Sequence, residues 1–100
     1  MQELSAFQRD ILFIICGSDE PNGLKIKNEL EQYYSENINH GRLYPNLDQL
    51  VESGLLIKGE VDGRTNKYEL TLKAEQYVQD RLHWEYDRAD EALLVAAVSD

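Results

Sequence analysis

Residues 39–71 read NHGRLYPNLDQLVESGLLIKGEVDGRTNKYELT and hold, in one compact run, a helix, a glycine stop, two short strands and a polar tip. Leu43, Leu47, Leu50 and Val51 fall at i, i+4, i+7 and i+8, which places them on one helix face and gives that face something to bury. The opposite face carries Gly41, Arg42, Pro45 and Gln49, flanked by Asn39 and Asn46. These are the small, amide and cationic groups that a protein uses to approach phosphate and meet base edges. Gly54 stands where a helix ends in the left-handed region. Beyond it, Leu55-Leu56-Ile57 and Lys67-Tyr68-Glu69-Leu70 read as strands around residues 60–66, whose Asp62-Gly63 pair is a hairpin signal.

Upstream, Ser5-x-x-Gln8 is a capping-box pattern opening a helix whose apolar positions are Phe7, Ile11, Leu12, Ile14 and Ile15, with Gly17 closing it. Residues 18–22 form a short polar turn, and Leu24, Ile26, Leu30 and Tyr33 or Tyr34 mark a second helix that carries Lys25 and Lys27 near its start. Asn39 is suited to N-cap the third helix. Pro45 conflicts with it, since a proline that deep removes a hydrogen bond to Gly41 and crowds its carbonyl. Either the first turn is distorted or the regular helix begins nearer Arg42. Two helices, a polar-faced third helix and a hairpin spell a winged helix-turn-helix over residues 1–72, mainly α with a small β-hairpin wing.

After Thr71, a good N-cap, no proline or glycine interrupts the chain, and Val78, Leu82, Tyr86, Ala89, Leu93 and Ala96 recur at spacings of 4, 4, 3, 4 and 3. That is a seam along one long helix within residues 73–100. At about 27 residues it would run about 40 Å, further than so small a domain can cover. Trp84 and Tyr77 add bulk beside the seam, and residues 93–98 are apolar on more than one face. The simplest partner is a second copy, so Val78, Leu82, Trp84, Tyr86, Ala89, Leu93 and Ala96 are the expected dimerisation residues; the competing reading folds the helix back on its own domain.

One hundred residues with 42% hydrophobic content make one small domain, modestly stable alone. No apolar run of about 18 residues and no charged-then-apolar leader points to a membrane or to export, so a cytoplasmic protein is expected. The net charge of −9 sits awkwardly with a nucleic-acid partner. Its distribution is uneven. Residues 1–38 carry three basic and seven acidic side chains, residues 39–68 four of each, and residues 69–100 three and eight. Two explanations stand: adaptation to molar salt, favoured because the acids are scattered and form no block, or an acidic surface for a basic partner protein.

The signatures of catalysis are missing. His40 and His83 are far apart with no cysteine or carboxylate at metal-ligand spacing, and glycine-rich phosphate loops, G-x-S-x-G and C-x-x-C are absent, so no enzyme, metal or cofactor is expected. His40 fits a phosphate contact or a turn. Cys16, the only thiol, follows Ile14-Ile15 and reads as buried packing, with redox sensing the lesser alternative. Tyr33, Tyr34, Tyr77, Trp84 and Tyr86 could line an effector cavity, but core and interface packing explains them equally well.

The run Gly41, Leu43-Tyr44-Pro45, Leu47, Leu50, Gly54-Leu55, then Tyr68 and Leu70-Thr71, resembles the PadR family of winged-helix transcriptional regulators, whose pattern is roughly G-x-L-Y-P-x-L-x-x-L-x-x-x-G-L followed by Y-x-L-T. It is most similar to members from halophilic archaea. Where the family continues T-x-x-G this chain has Ala74, which firms up the start of the next helix. The resemblance implies a dimeric DNA-binding protein, joined through its C-terminal helix, with the motif helix in the major groove and the wing along the backbone; a response to oxidants is among the roles it implies. The expected contacts with double-stranded DNA are Asn39, His40, Gly41, Arg42, Tyr44, Pro45, Asn46 and Gln49 on the motif helix, Lys58, Arg64, Thr65, Asn66 and Lys67 on the wing, and Lys25 and Lys27 on the second helix. The alternative is a winged-helix interaction module whose acidic surface binds a basic protein.

Overall fold

The computed structural model describes residues 3–60 and 65–98. The order is α1 (Ala6–Cys16), α2 (Gly23–Tyr34), α3 (His40–Glu52), β1 (Leu56–Glu60), β2 (Asn66–Leu70), α4 (Leu72–Arg88) and α5 (Glu91–Val98). Each of the first four helices opens on a side chain that satisfies an orphan backbone N–H. Ser5 and Gln8 close a reciprocal capping box, Asn22 accepts from Lys25 N–H, Asn39 from Arg42 N–H, and Thr71 from Ala74 N–H.

The core is a single cluster fed by every element except α5, with Ile11, Leu12, Ile26, Leu30, Leu43, Leu47 and Leu55 fully shielded from solvent. Ile14 and Val51 are partly buried at its edge, and Leu24 is exposed, contrary to its expected place on the buried face of α2. β1 and β2 pair antiparallel from Leu56 opposite Leu70 to Glu60 opposite Asn66. The hairpin starts one residue later than expected and runs further. Asp62, Gly63 and Arg64, part of the expected turn, lie outside the described residues. The turn before α2 joins this sheet: Tyr68 N–H donates to the Pro21 carbonyl at 3.0 Å and Asn22 bridges Lys67. This clamps the wing to the start of α2.

Gly54 ends α3 with φ of 77°, as expected, whereas α2 ends on Ser35, a non-glycine residue at φ of 56°. Left-handed backbone costs an L-residue roughly 1–2 kcal/mol. An added Cβ at Gly54 would meet nothing within 4 Å, so its substitution isolates the backbone effect. Gly54→Ala should therefore lose about 1 kcal/mol in chemical denaturation, and Ser35→Gly should gain a smaller amount.

The C-terminal segment departs from the sequence expectation. It is two helices, broken at Ala89, whose ψ of 142° is extended. The break comes from caps. Asp90 Oδ1 accepts from Ala92 N–H at 2.8 Å and opens α5, while the Arg88 guanidinium donates to the Trp84 carbonyl at 3.1 Å and satisfies the end of α4. Val78 is only 4% exposed and belongs to the domain's own core, so the seam open to another chain begins at Leu82. Cys16 is likewise corrected: it is exposed. It follows Ile15 by one position, and one step of 100° on a helix carries it off the buried stripe.

Candidate nucleic-acid interface

α3 keeps its helical path through Pro45, which stands inside it, and the helix begins at His40, its first turn tightened by a bond from Arg42 N–H to the Asn39 carbonyl at 3.1 Å. Its inward side chains, Leu43, Leu47 and Leu50, are buried, which turns Gly41, Arg42, Pro45, Asp48 and Gln49 to solvent. On one flank, His40 stacks on Tyr44 with ring centroids 5.2 Å apart. The Tyr44 phenol packs against Gly23 so closely that a Cβ there would collide with it, which fixes the separation of α2 and α3. Tyr44, Asn22, Gly23, Thr65, Asn66 and Tyr68 surround a polar recess of about 260 Å³ between α2, α3 and the base of the wing. Burial pushes the Tyr68 phenol above its usual pKa, helped by the nearby Asp48 carboxylate.

The other flank is tied to α1. Gln8 Nε2 donates to Asn46 Oδ1 at 3.0 Å and to Gln49 Oε1 at 2.9 Å. Asn46 Nδ2 in turn donates to the Arg42 carbonyl at 2.7 Å. The Arg42 guanidinium lies over the Phe7 ring at 4.0 Å from its centroid and pairs with Glu36 at 3.4 Å. Tyr34 stacks on Phe7 and donates to Asp10, and burial followed by that bond raises its phenol to about 12. Phe7, Gln8 and Glu36 thus organise the exposed face, although no local pattern marks them for that role. Their partners on α3 are distant in the chain, and only the tertiary fold brings them together.

The cations are less uniform than the sequence suggests. Lys27 is half-buried and paired with Glu31 at 3.1 Å; Glu31 also accepts from Ile38 N–H at 2.9 Å, and these bonds hold its carboxyl below the usual 4.5. Lys27 therefore anchors the α2–α3 connection, while Lys25 stands exposed one turn from the Asn22 cap. In the hairpin, Lys58 lies opposite Tyr68 and Lys67 opposite Gly59. Cross-strand partners share a face and neighbours alternate, so Lys58 and Lys67 point to opposite faces of the wing. Thr65 and Asn66 are half-buried beside the recess, and Arg64 is outside the described residues.

The aromatic side chains do not converge. Tyr77 is in the core, Tyr34 is against Phe7, and Trp84 sits between the guanidinium groups of Arg81 and Arg88 at 4.4 and 4.3 Å. A cleft of about 760 Å³ between α1, α2 and α4 has Tyr33 but also Arg9, Asp10, Glu29 and Arg81 in its walls. Among the described residues no group of three or more His, Cys, Asp or Glu is placed to hold a metal ion, and no helix is long and apolar enough to cross a membrane.

Three helices, a clamped hairpin wing and an outward polar face on the third helix define a winged helix-turn-helix protein. Residues 11–80 match the Transcriptional regulator PadR-like family. RosR of Halobacterium salinarum is similar throughout, with 45% identity and a TM-score of 0.88 over 98% of this chain and 92% of that one. A complex of that protein, RosR-S1, gives 46% identity and a TM-score of 0.89 over 97% and 90% of the two chains. PadR of Bacillus subtilis, solved with operator DNA, shares the fold at 22% identity and a TM-score of 0.66 over 81% of this chain and 48% of that one. No curated protein matches. The chain belongs to the PadR-like family of transcriptional regulators.

Proposed function

We propose that this protein is a dimeric, sequence-specific DNA-binding transcriptional regulator of the cytoplasm, suited to high salt. The observation that carries this reading is the solvent-facing strip of α3, where Gly41, Arg42, Pro45, Asp48 and Gln49 are exposed beside the wing. A helix of this kind enters the major groove, and two copies related by a twofold axis would meet half-sites one turn of DNA apart. The similarity to RosR and the operator complex of the Bacillus subtilis PadR support the same partner.

Arg42 is the residue whose removal tests the face. It is exposed, and among the described residues its one ion pair is with the still more exposed Glu36, so exchanging that pair for a guanine edge or a phosphate costs little. Titrating labelled duplex DNA, Arg42→Ala should weaken binding by about 1–3 kcal/mol. Unchanged affinity and preference would take α3 out of the recognition role. The net charge of −9 favours a second reading, a module whose acidic surface binds a basic protein. That reading requires no duplex binding at low or at molar potassium chloride.

A further inference from the structure

The structure assigns Gln8 of α1 a role as the positioning residue that decides which end of the Gln49 amide faces the DNA. This rests on the DNA-binding reading of α3. A chain of hydrogen bonds runs from the Ser5 backbone N–H to Gln8 Oε1 at 3.4 Å, from Gln8 Nε2 to Asn46 Oδ1 at 3.0 Å and Gln49 Oε1 at 2.9 Å, and from Asn46 Nδ2 to the Arg42 carbonyl at 2.7 Å. Its two ends are backbone groups of fixed polarity: an N–H can only donate and a carbonyl can only accept. Every amide between them is thereby oriented. Turning Gln8 around would set its NH₂ against the Ser5 N–H and its oxygen against two oxygens; turning Asn46 would set oxygen against the Arg42 carbonyl.

Two consequences follow for recognition. Both ends of the Asn46 amide are engaged within the protein, so Asn46 supports the face and does not read from it. Gln49 has its oxygen turned inward to Gln8, which leaves its NH₂ on the exposed side of α3. A glutamine held this way turns only its donors to the groove. The bidentate pair with adenine needs the amide oxygen on the same side, so at adenine the N6 amino group beside N7 goes unanswered, and the edges that suit it are those that offer acceptors without a competing donor, the O6 and N7 of guanine or the O4 of thymine.

The test is selection of duplexes from a randomised library by the full-length protein and its variants. Gln49→Ala locates the position that Gln49 reads, because preference there is lost. Wild type should select guanine or thymine at that position. In Gln8→Glu the carboxylate still accepts from Ser5, and Ser-x-x-Glu is itself a capping box, so α1 is retained. The carboxylate offers no donor, so the Gln49 amide turns its NH₂ inward and its oxygen outward, while Asn46, pinned by the Arg42 carbonyl, cannot turn and loses its bond from residue 8. Preference should then move by about tenfold or more towards cytosine or adenine, whose exocyclic amino groups donate. In Gln8→Met, which holds no orientation, preference at that position should relax without inverting. Preferences are ratios within one variant, so a uniform loss of affinity from the added charge drops out, as does any loss of stability. Folded Gln8→Glu that selects the same base as wild type at that position overturns the assignment. Wild type that binds no duplex overturns the DNA reading itself and the assignment with it.

Discussion

Aspartate at Leu82 or Leu93 should convert the protein into a folded monomer. Leu82 is 48% exposed and Leu93 66% exposed on the single chain, and neither belongs to the buried core, so a carboxylate at either site has water around it as long as no second chain is docked. A homodimer built on this face would bury the carboxylate twice, once from each subunit, among the apolar side chains of the seam. Burying an unpaired charge costs on the order of several kcal/mol per site, and two sites should raise the dissociation constant by at least about a thousandfold. The exposed apolar surface here needs an explanation in any case. α5 contains no buried residue, and Leu93 and Val98 stand open on it, while Leu82 and Tyr86 line a groove of about 550 Å³ on α4. Light scattering with circular dichroism reads both halves of the expectation: dimer for wild type, monomer of unchanged helicity for each variant. A dimer that survives both substitutions places the interface elsewhere.

What the sequence reveals and what it conceals divide along a physical line. Features set by a few consecutive residues were readable. Ser5 with Gln8, Asn39 and Thr71 cap their helices because a short polar side chain reaches an N–H two or three residues on, and Gly54 ends α3 because only glycine adopts φ of 77° without strain. The buried stripe of α3 and the hairpin pattern follow from periodicity alone. Features set by competition between weak local signals were not. Asp90-Glu91 looks like two solvated acids on a long helix, yet Asp90 is a cap and the helix breaks before it, with neither glycine nor proline to announce the break. Features set by tertiary contact were invisible. Nothing near Gln8 signals that its amide meets Asn46 and Gln49, and nothing near Arg42 signals that it rests on Phe7. Strand register has the same character: two lysines that look like one cationic wing are turned to opposite faces once Lys58 is opposite Tyr68.

The affinity of this protein for its specific duplex should stay flat or rise as potassium chloride increases into the molar range. A basic DNA-binding domain loses affinity with salt because each phosphate contact releases condensed counterions whose return becomes easier as salt rises. This chain has little of that to lose. Its α3 and wing segment, residues 39–68, is neutral overall, and the flanking segments are acidic, so a dimer brings twice −9 towards a polyanion. The structure sharpens the point. Arg42 is already paired with Glu36, Lys27 with Glu31, and Lys67 lies 4.0 Å from Glu69, while Asp48 is exposed on α3 itself. Carboxylates therefore stand beside the surface meant to meet phosphate. At low salt the long-range term is repulsive and unscreened. At about 1 M the Debye length is about 3 Å, the repulsion is confined to near contact, and the short-range bonds of α3 and the wing act. Solvated cations also have somewhere to bind, between phosphates and those carboxylates, and their uptake reverses the usual direction of ion exchange. Folding should respond in the same sense, since acidic self-repulsion opposes the compact state most where screening is weakest. Affinity plotted against potassium chloride on logarithmic axes, with circular dichroism at each salt to certify folded protein, reads the slope. The steep negative slope of a basic repressor would refute this account of the charge.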